Sequence, residues 1–314
     1  MSKAKLAIAL STLSVVAIVA WAVPTLGIAH QHVRRPETTR SASVALIRLG
    51  DERERGLMAR GWINGAGPFV FVIDTGAGVS LISRKVVGEA RLGMTKSRRP
   101  LVGGLSTSPI SSNQETQIAN LALGLRENRI SGSFKAAVVT NLPGSIDGVL
   151  DPTEVFKPFG YSIDLPNREL RVFNTTAPRL RSADVPPGGT VVRWVREAGS
   201  HRPFVRLDDG RLALLDTGSG FGLALNEGRS ASGANHRRDE NTINDLGGGR
   251  VQSRSVEPQT VSIGTLVLRG VPTDVLTGVA PGTPIILGRR ALFPFRITFD
   301  PAAQLIAIEP TERD

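Results

Sequence analysis

Along this chain, apolar residues fall in short runs bounded by Gly, Pro, Asn and Asp, the pattern of strands joined by turns. Trp62-Ile63-Asn64-Gly65-Ala66-Gly67-Pro68 and then Phe69-Val70-Phe71-Val72-Ile73 predict strand, glycine-rich turn and strand, the second ending on Asp74. Leu81-Ile82-Ser83 predicts another strand. Leu101-Val102-Gly103-Gly104-Leu105 predicts a hairpin with two glycines at its tip. Apolar runs at 118–125 and 134–139 follow, then Ile146-Asp147-Gly148-Val149-Leu150-Asp151, Tyr161-Ser162-Ile163-Asp164-Leu165 and Leu170-Arg171-Val172-Phe173.

After a Pro-, Gly- and polar-rich stretch from about residue 174 to 189, the pattern restarts. Phe204-Val205-Arg206-Leu207, an Asp208-Asp209-Gly210 turn and Leu212-Ala213-Leu214-Leu215 lead straight into Asp216. Gly247-Gly248-Gly249 takes the place of the earlier glycine pair. Strands are predicted at 260–263 and 266–269, then at Ile285-Ile286-Leu287-Gly288, Phe295-Arg296-Ile297-Thr298-Phe299-Asp300 and Leu305-Ile306-Ala307-Ile308. The repeat spans nearly all of residues 60–310. Residues 226–243 have no counterpart and read as a polar insertion.

The amino terminus is different. Lys3 and Lys5 precede an almost unbroken apolar stretch over residues 6–29, long enough for a membrane-crossing helix. Gly27-Ile28-Ala29 and Ala20-Trp21-Ala22 offer small-residue cleavage sites, so a removed signal peptide and a retained anchor are both open. Either implies export, to the periplasm or the exterior. Arg34, Arg35 and Arg40 beyond the segment leave its orientation open. The expected organisation is therefore 1–30 signal peptide or anchor, 31–43 linker, 44–175 first unit, 176–189 linker and 190–314 second unit.

Composition narrows the chemistry. Hydrophobic residues at 40% of the chain are enough for packed cores. A net charge of +10 invites a nucleic-acid reading, but the arginines are scattered, aromatics are only 5%, and no nucleic-acid-binding signature accompanies them. No nucleic-acid partner is expected. The absence of cysteine excludes disulfides, thiolate metal sites and a cysteine nucleophile. His30, His32, His201 and His236 lack metal-ligand spacing, and neither a Gly-x-Ser-x-Gly elbow nor a phosphate loop is present, so no metal or cofactor is expected.

What remains is a tripeptide that occurs twice, Asp74-Thr75-Gly76 and Asp216-Thr217-Gly218, each where an apolar strand runs into a small-residue turn. A single copy is ordinary turn chemistry. Two copies 142 residues apart (74 to 216), in matching flanks, point to a paired site. Two carboxyls held about 3 Å apart cannot both ionise, so they share a proton and can act as base and acid on one water.

On these residues the chain resembles the aspartic peptidases, and the retropepsin-like proteins of bacteria more than the larger pepsins. The resemblance rests on Asp-Thr-Gly after an apolar strand, a glycine-tipped hairpin some thirty residues on, and an apolar-apolar-Gly segment seen in Ile286-Leu287-Gly288 and more loosely in Val149-Leu150-Asp151. It implies an all-β fold of two similar closed barrel-like lobes about a pseudo-two-fold axis, preceded by the N-terminal apolar helix, in a monomer that is its own pseudo-dimer. It implies Asp74 and Asp216 as the catalytic pair, Thr75 and Thr217 hydrogen-bonded across the axis, and Gly76 and Gly218 giving backbone amides access to the carboxylates. Gly103 and Gly104, with Gly247, Gly248 and Gly249, would be flap tips over a peptide or unfolded protein substrate. Asp151 departs from the pattern by standing where the other unit has Gly288, and neither flap has a tyrosine. A peptide-binding protein without catalysis on the same fold is the competing reading.

Overall fold

The computed structural model describes residues 43–311 except 53–55, 107–109, 141, 144, 174–176, 198–199, 228–239, 245–248 and 281. The apolar stretch at 6–29, the Arg-containing segment after it and the glycines Gly247 and Gly248 lie outside the described residues. No described helix is long and apolar enough to cross a membrane.

The fold is mostly β. The first half runs β1 (Ser43–Arg48), β2 (Gly50–Glu52), β3 (Gly56–Ile63), β4 (Ala66–Ile73), β5 (Ser80–Ser83), α1 (Arg84–Glu89), β6 (Met94–Gly103) and β7 (Ile110–Ile118). It continues with β8 (Leu121–Leu123), β9 (Arg129–Ile130), β10 (Phe134–Val139), β11 (Gly148–Leu150), α2 (Pro152–Val155), β12 (Tyr161–Asp164) and β13 (Glu169–Phe173). The second half runs β14 (Thr190–Arg193), β15 (Phe204–Arg206), β16 (Leu212–Asp216), β17 (Leu223–Asn226), β18 (Glu240–Asn244) and β19 (Arg250–Ile263). It closes with β20 (Leu266–Thr277), β21 (Ile285–Gly288), α3 (Arg289–Leu292), β22 (Phe295–Asp300) and β23 (Leu305–Pro310).

Three sheets result. In the ten-stranded sheet the order β6-β7-β10-β5-β11-β4-β3 matches, strand for strand in reverse, the order β15-β16-β21-β17-β20-β19-β18 of the seven-stranded sheet. Each strand that leads to an aspartate, β4 or β16, is flanked by the hairpin partner that precedes it and by a parallel partner, β11 or β21, from later in its half of the chain. The third sheet, β1-β13-β12-β22-β23-β14, takes three strands from each half. Its middle pair is antiparallel with Tyr161 opposite Phe299 and Ile163 opposite Ile297. The Tyr161 and Phe299 rings stack with centroids 4.7 Å apart, and Trp194 meets Phe299 edge-on.

Closed barrels do not form. Among the described residues the ten-stranded sheet ends on β6 and β9 and the seven-stranded sheet on β15 and β18, and in neither do the edge strands pair with each other. Closure would need those edges to meet in register, and here strands leave instead for the shared sheet. The supposed insertion at 226–243 also needs correction: Asn226 ends β17, and residues 240–243 belong to β18, which pairs with β19. Its lack of apolar alternation hid an edge strand, one face of which needs no core.

Two strand glycines have a packing cause. Phe71 on β4 is fully buried beside Gly61 on β3 and Gly148 on β11, and an added Cβ would lie 2.7 Å from the Phe71 ring at Gly61 and 2.8 Å at Gly148. At Gly148 it would also lie 2.6 Å from the Leu81 carbonyl oxygen. Gly148→Ala is expected to destabilise the protein by about 1–3 kcal/mol through overpacking, measured as a shift in the denaturant midpoint at unchanged slope.

Candidate active site

Asp74 follows β4 directly, and its amide N–H donates to the Leu150 carbonyl of β11 (3.0 Å). Asp216 is the last residue of β16 and lies opposite Gly288 of β21. Parallel pairing holds both strand ends, and the small residues after them turn the chain sharply. The two loops meet. Thr75 and Thr217 are fully buried, and each amide N–H donates to the other residue's hydroxyl, Thr75 N to Thr217 Oγ1 at 3.2 Å and Thr217 N to Thr75 Oγ1 at 3.0 Å. Each hydroxyl then donates to the opposite strand, Thr75 Oγ1 to Leu215 O at 2.7 Å and Thr217 Oγ1 to Ile73 O at 3.1 Å. Every hydroxyl thus donates once and accepts at least once, which a buried hydroxyl needs to avoid an uncompensated loss of water.

The threonine lattice brings the carboxyls together. Asp74 and Asp216 are both buried, at 8% and 9% exposure. A Cβ at Gly76 would lie 2.6 Å from the Asp216 carboxyl carbon, and one at Gly218 would overlap the Asp74 carboxyl. Only glycine fits at either place, and the freed space lets each carboxyl rest against the opposing loop.

Their surroundings differ. Asp74 Oδ1 accepts from the Gly76 amide alone (2.8 Å), whereas Asp216 Oδ1 accepts from the amides of Gly218 (2.8 Å) and Ser219 (3.0 Å). Burial pushes Asp74 well above the usual carboxylate range, and the charge of Asp216 and the hydrogen bond with it push it further. Burial raises Asp216 too, but the hydrogen bond from Asp74, the amides of Ser219 and Gly218 and the positive charge of Arg289 pull it back. With one amide on Asp74 against two amides and a cation at Asp216, these surroundings favour the proton on Asp74 and the negative charge on Asp216, the pair titrating as a unit.

Arg289 escapes a motif reading of the sequence. Its guanidinium is buried, Nη1 donating to Thr217 O (3.3 Å), and it lies so close to the backbone of Gly56 that an added Cβ there would be 3.0 Å from it. The only sequence signal is its place directly after Ile285-Ile286-Leu287-Gly288. The strand-end aspartates near the site hold turns and ends: Asp147 accepts from the Val70 amide and Lys85, Asp164 pairs with Arg296, and Asp300 accepts four backbone amides.

Of the candidate flap residues, Gly103 ends β6 and Gly104 follows with φ +115°, so they do lie at the hairpin joining β6 to β7. The next residues reach the second half: Leu105 O accepts from the Ala280 amide (2.8 Å), Ser106 bridges to Val279, and Leu105 packs on a cluster of Phe221, Ala224, Val251, Leu276 and Ile286. Gly249 is buried just before β19.

Residues 59–150 match the aspartyl protease family, a span that contains Asp74-Thr75-Gly76 and ends one residue before Asp151. Over it the chain is similar to aspartic peptidases of the retropepsin-like kind. No curated protein matches the chain.

Thr75→Val and Thr217→Val each take one hydrogen-bond partner from a carbonyl and one from a buried amide at nearly constant volume. Each is expected to cost about 2–4 kcal/mol, read from denaturant unfolding, and the double variant less than the sum, because both act on one network.

Proposed function

With the aspartyl protease match over the first half as premise, we propose that the protein is an aspartic endopeptidase in which Asp74 and Asp216 form one dyad. The observation that carries this reading is the close pair of buried carboxyls, unequal in environment, each set against the glycine of the opposing loop and held there by the reciprocal threonine bonds. In the proposed reaction Asp216 takes a proton from a water molecule as the water oxygen attacks the scissile carbonyl carbon. Asp74 delivers its proton to the carbonyl oxygen. The resulting diol collapses as Asp216 gives its proton to the nitrogen and the C–N bond breaks, while one diol hydroxyl returns its proton to Asp74 as the new carboxyl forms, so the dyad is back in its starting state. No covalent intermediate forms.

The shared strand order of the two large sheets supports two lobes, residues 44–175 and 190–314, related by a pseudo-two-fold axis through the threonine pair. A peptide or unfolded segment would lie extended between them beneath the β6–β7 hairpin, its backbone supplying affinity and its alternating side chains preference. A monomer suffices, since one chain carries both halves of the site. Export follows from the apolar stretch at 6–29, with the membrane as a partner if that stretch is retained.

Asp74→Asn and Asp216→Asn should each lower hydrolysis of an unstructured protein by roughly 10²-fold or more, with circular dichroism unchanged. Full activity in either variant removes the dyad. Peptide binding without any hydrolysis by the wild type, from acid to neutral pH, would instead establish the non-catalytic reading.

A further inference from the structure

The two halves close differently behind their Asp-Thr-Gly loops. In the second half β21 ends on Gly288, whose amide donates to Gly222 O (2.9 Å) and whose added Cβ would lie 2.5 Å from Phe221 O. In the first half the corresponding strand, β11, leads into Asp151, whose amide donates to the Ser80 hydroxyl (3.1 Å). Ser80 and Gly222 each come six residues after their aspartate, so both members of a backbone contact have changed together. The exchange makes room for a carboxyl where the other half has none.

That carboxyl is fully buried. Oδ1 caps α2 by accepting the Thr153 amide (2.9 Å), and Oδ2 has no hydrogen-bond partner among the described residues. The groups that face it are Thr153 and Glu154 of α2, Ser80 of β5, Tyr161 of β12, whose hydroxyl bonds Thr153 Oγ1 at 2.9 Å, and Asp74. All the titratable members of that set are acids. Glu154 Oε2 is likewise buried and unpartnered among the described residues, and the positive charge of Lys157 acts on Glu154. A carboxylate with an unpartnered buried oxygen is costly, so the group stays protonated through the acid range and ionises only near neutral pH. Burial pushes Asp151 up to about 7, and a charge on Asp151 in turn raises Asp74. Beside Asp216, by contrast, stands the cation of Arg289.

We propose that Asp151 is a positioning residue for the proton of the dyad: an acid beside Asp74, balanced by a cation beside Asp216, keeps that proton on Asp74 as the pH approaches neutrality. This role rests on the dyad reading above. The working form of the dyad holds one proton, and the reaction stops when Asp74 loses it. Once Asp151 is ionised, that loss would put a third negative charge beside those of Asp216 and Asp151, which moves it to higher pH. The enzyme thereby keeps activity above the acid range in which an isolated dyad would work.

Asp151→Asn keeps a cap acceptor and removes the charge; Asp151→Ser does the same with a smaller side chain and guards against misfolding of the first. Asp151→Gly copies Gly288 and removes both. All three are expected to move the alkaline midpoint of kcat/KM down by about one pH unit, leaving the acid midpoint in place. A wild-type profile in the Asn and Ser variants, with loss confined to Gly, would reduce Asp151 to a helix cap and overturn the role. Thermal melts give a readout without activity. A folded pKa above the unfolded one contributes stability that is complete below the ordinary carboxylate range and lost as pH rises through about 7. The Tm of Asp151→Asn relative to wild type should therefore climb between about pH 4 and pH 8. Parallel curves in an active wild type overturn this role alone, whereas a climbing difference in a wild type that hydrolyses nothing overturns the dyad and this role with it.

Discussion

Two buried threonine hydroxyls, each accepting the other loop's amide and donating to the other strand's carbonyl, are the contact on which the rest of the site depends. Neither hydroxyl can be satisfied inside its own half of the chain. The cost of a buried, unpartnered polar group therefore acts as a force between the halves, and it fixes the distance between Asp74 and Asp216. Gly76 and Gly218 are the steric complement of that lattice, since any side chain would occupy the opposing carboxyl's place.

Around this contact the fold is built to hold two strand ends still. Parallel partners β11 and β21 clamp β4 and β16 beside the aspartates, and the six-stranded sheet ties the halves together through Tyr161, Phe299 and Trp194. Symmetry in strand order does not extend to charge. One amide supports Asp74 and two support Asp216; an acid lies near the first and Arg289 near the second. A symmetric pair would share its proton without preference. Here the surroundings differ, and they favour the proton on Asp74 over Asp216.

The strands that deliver Asp74 and Asp216 were readable from local pattern, because an apolar run ending in Asp and Gly has few alternatives to strand and turn. The hairpin at Gly103 and Gly104 was readable for the same reason. Barrel closure was not, because it depends on whether distant edge strands meet, and β18 was not, because an edge strand with a polar face carries no alternation. Arg289 and the Ser80–Asp151 exchange were invisible as chemistry. Their effect lies in burial and in neighbours far away in the chain.

By itself, the sequence determined that the chain repeats, that it is mostly strand, and that two Asp-Thr-Gly turns stand at matching places, all consequences of local backbone preference and apolar periodicity. Only the tertiary structure decided that the turns meet, that the threonines bond reciprocally and that the two carboxyls differ. Those outcomes come from satisfying buried polar groups across 142 residues of chain, a long-range condition that no local pattern records.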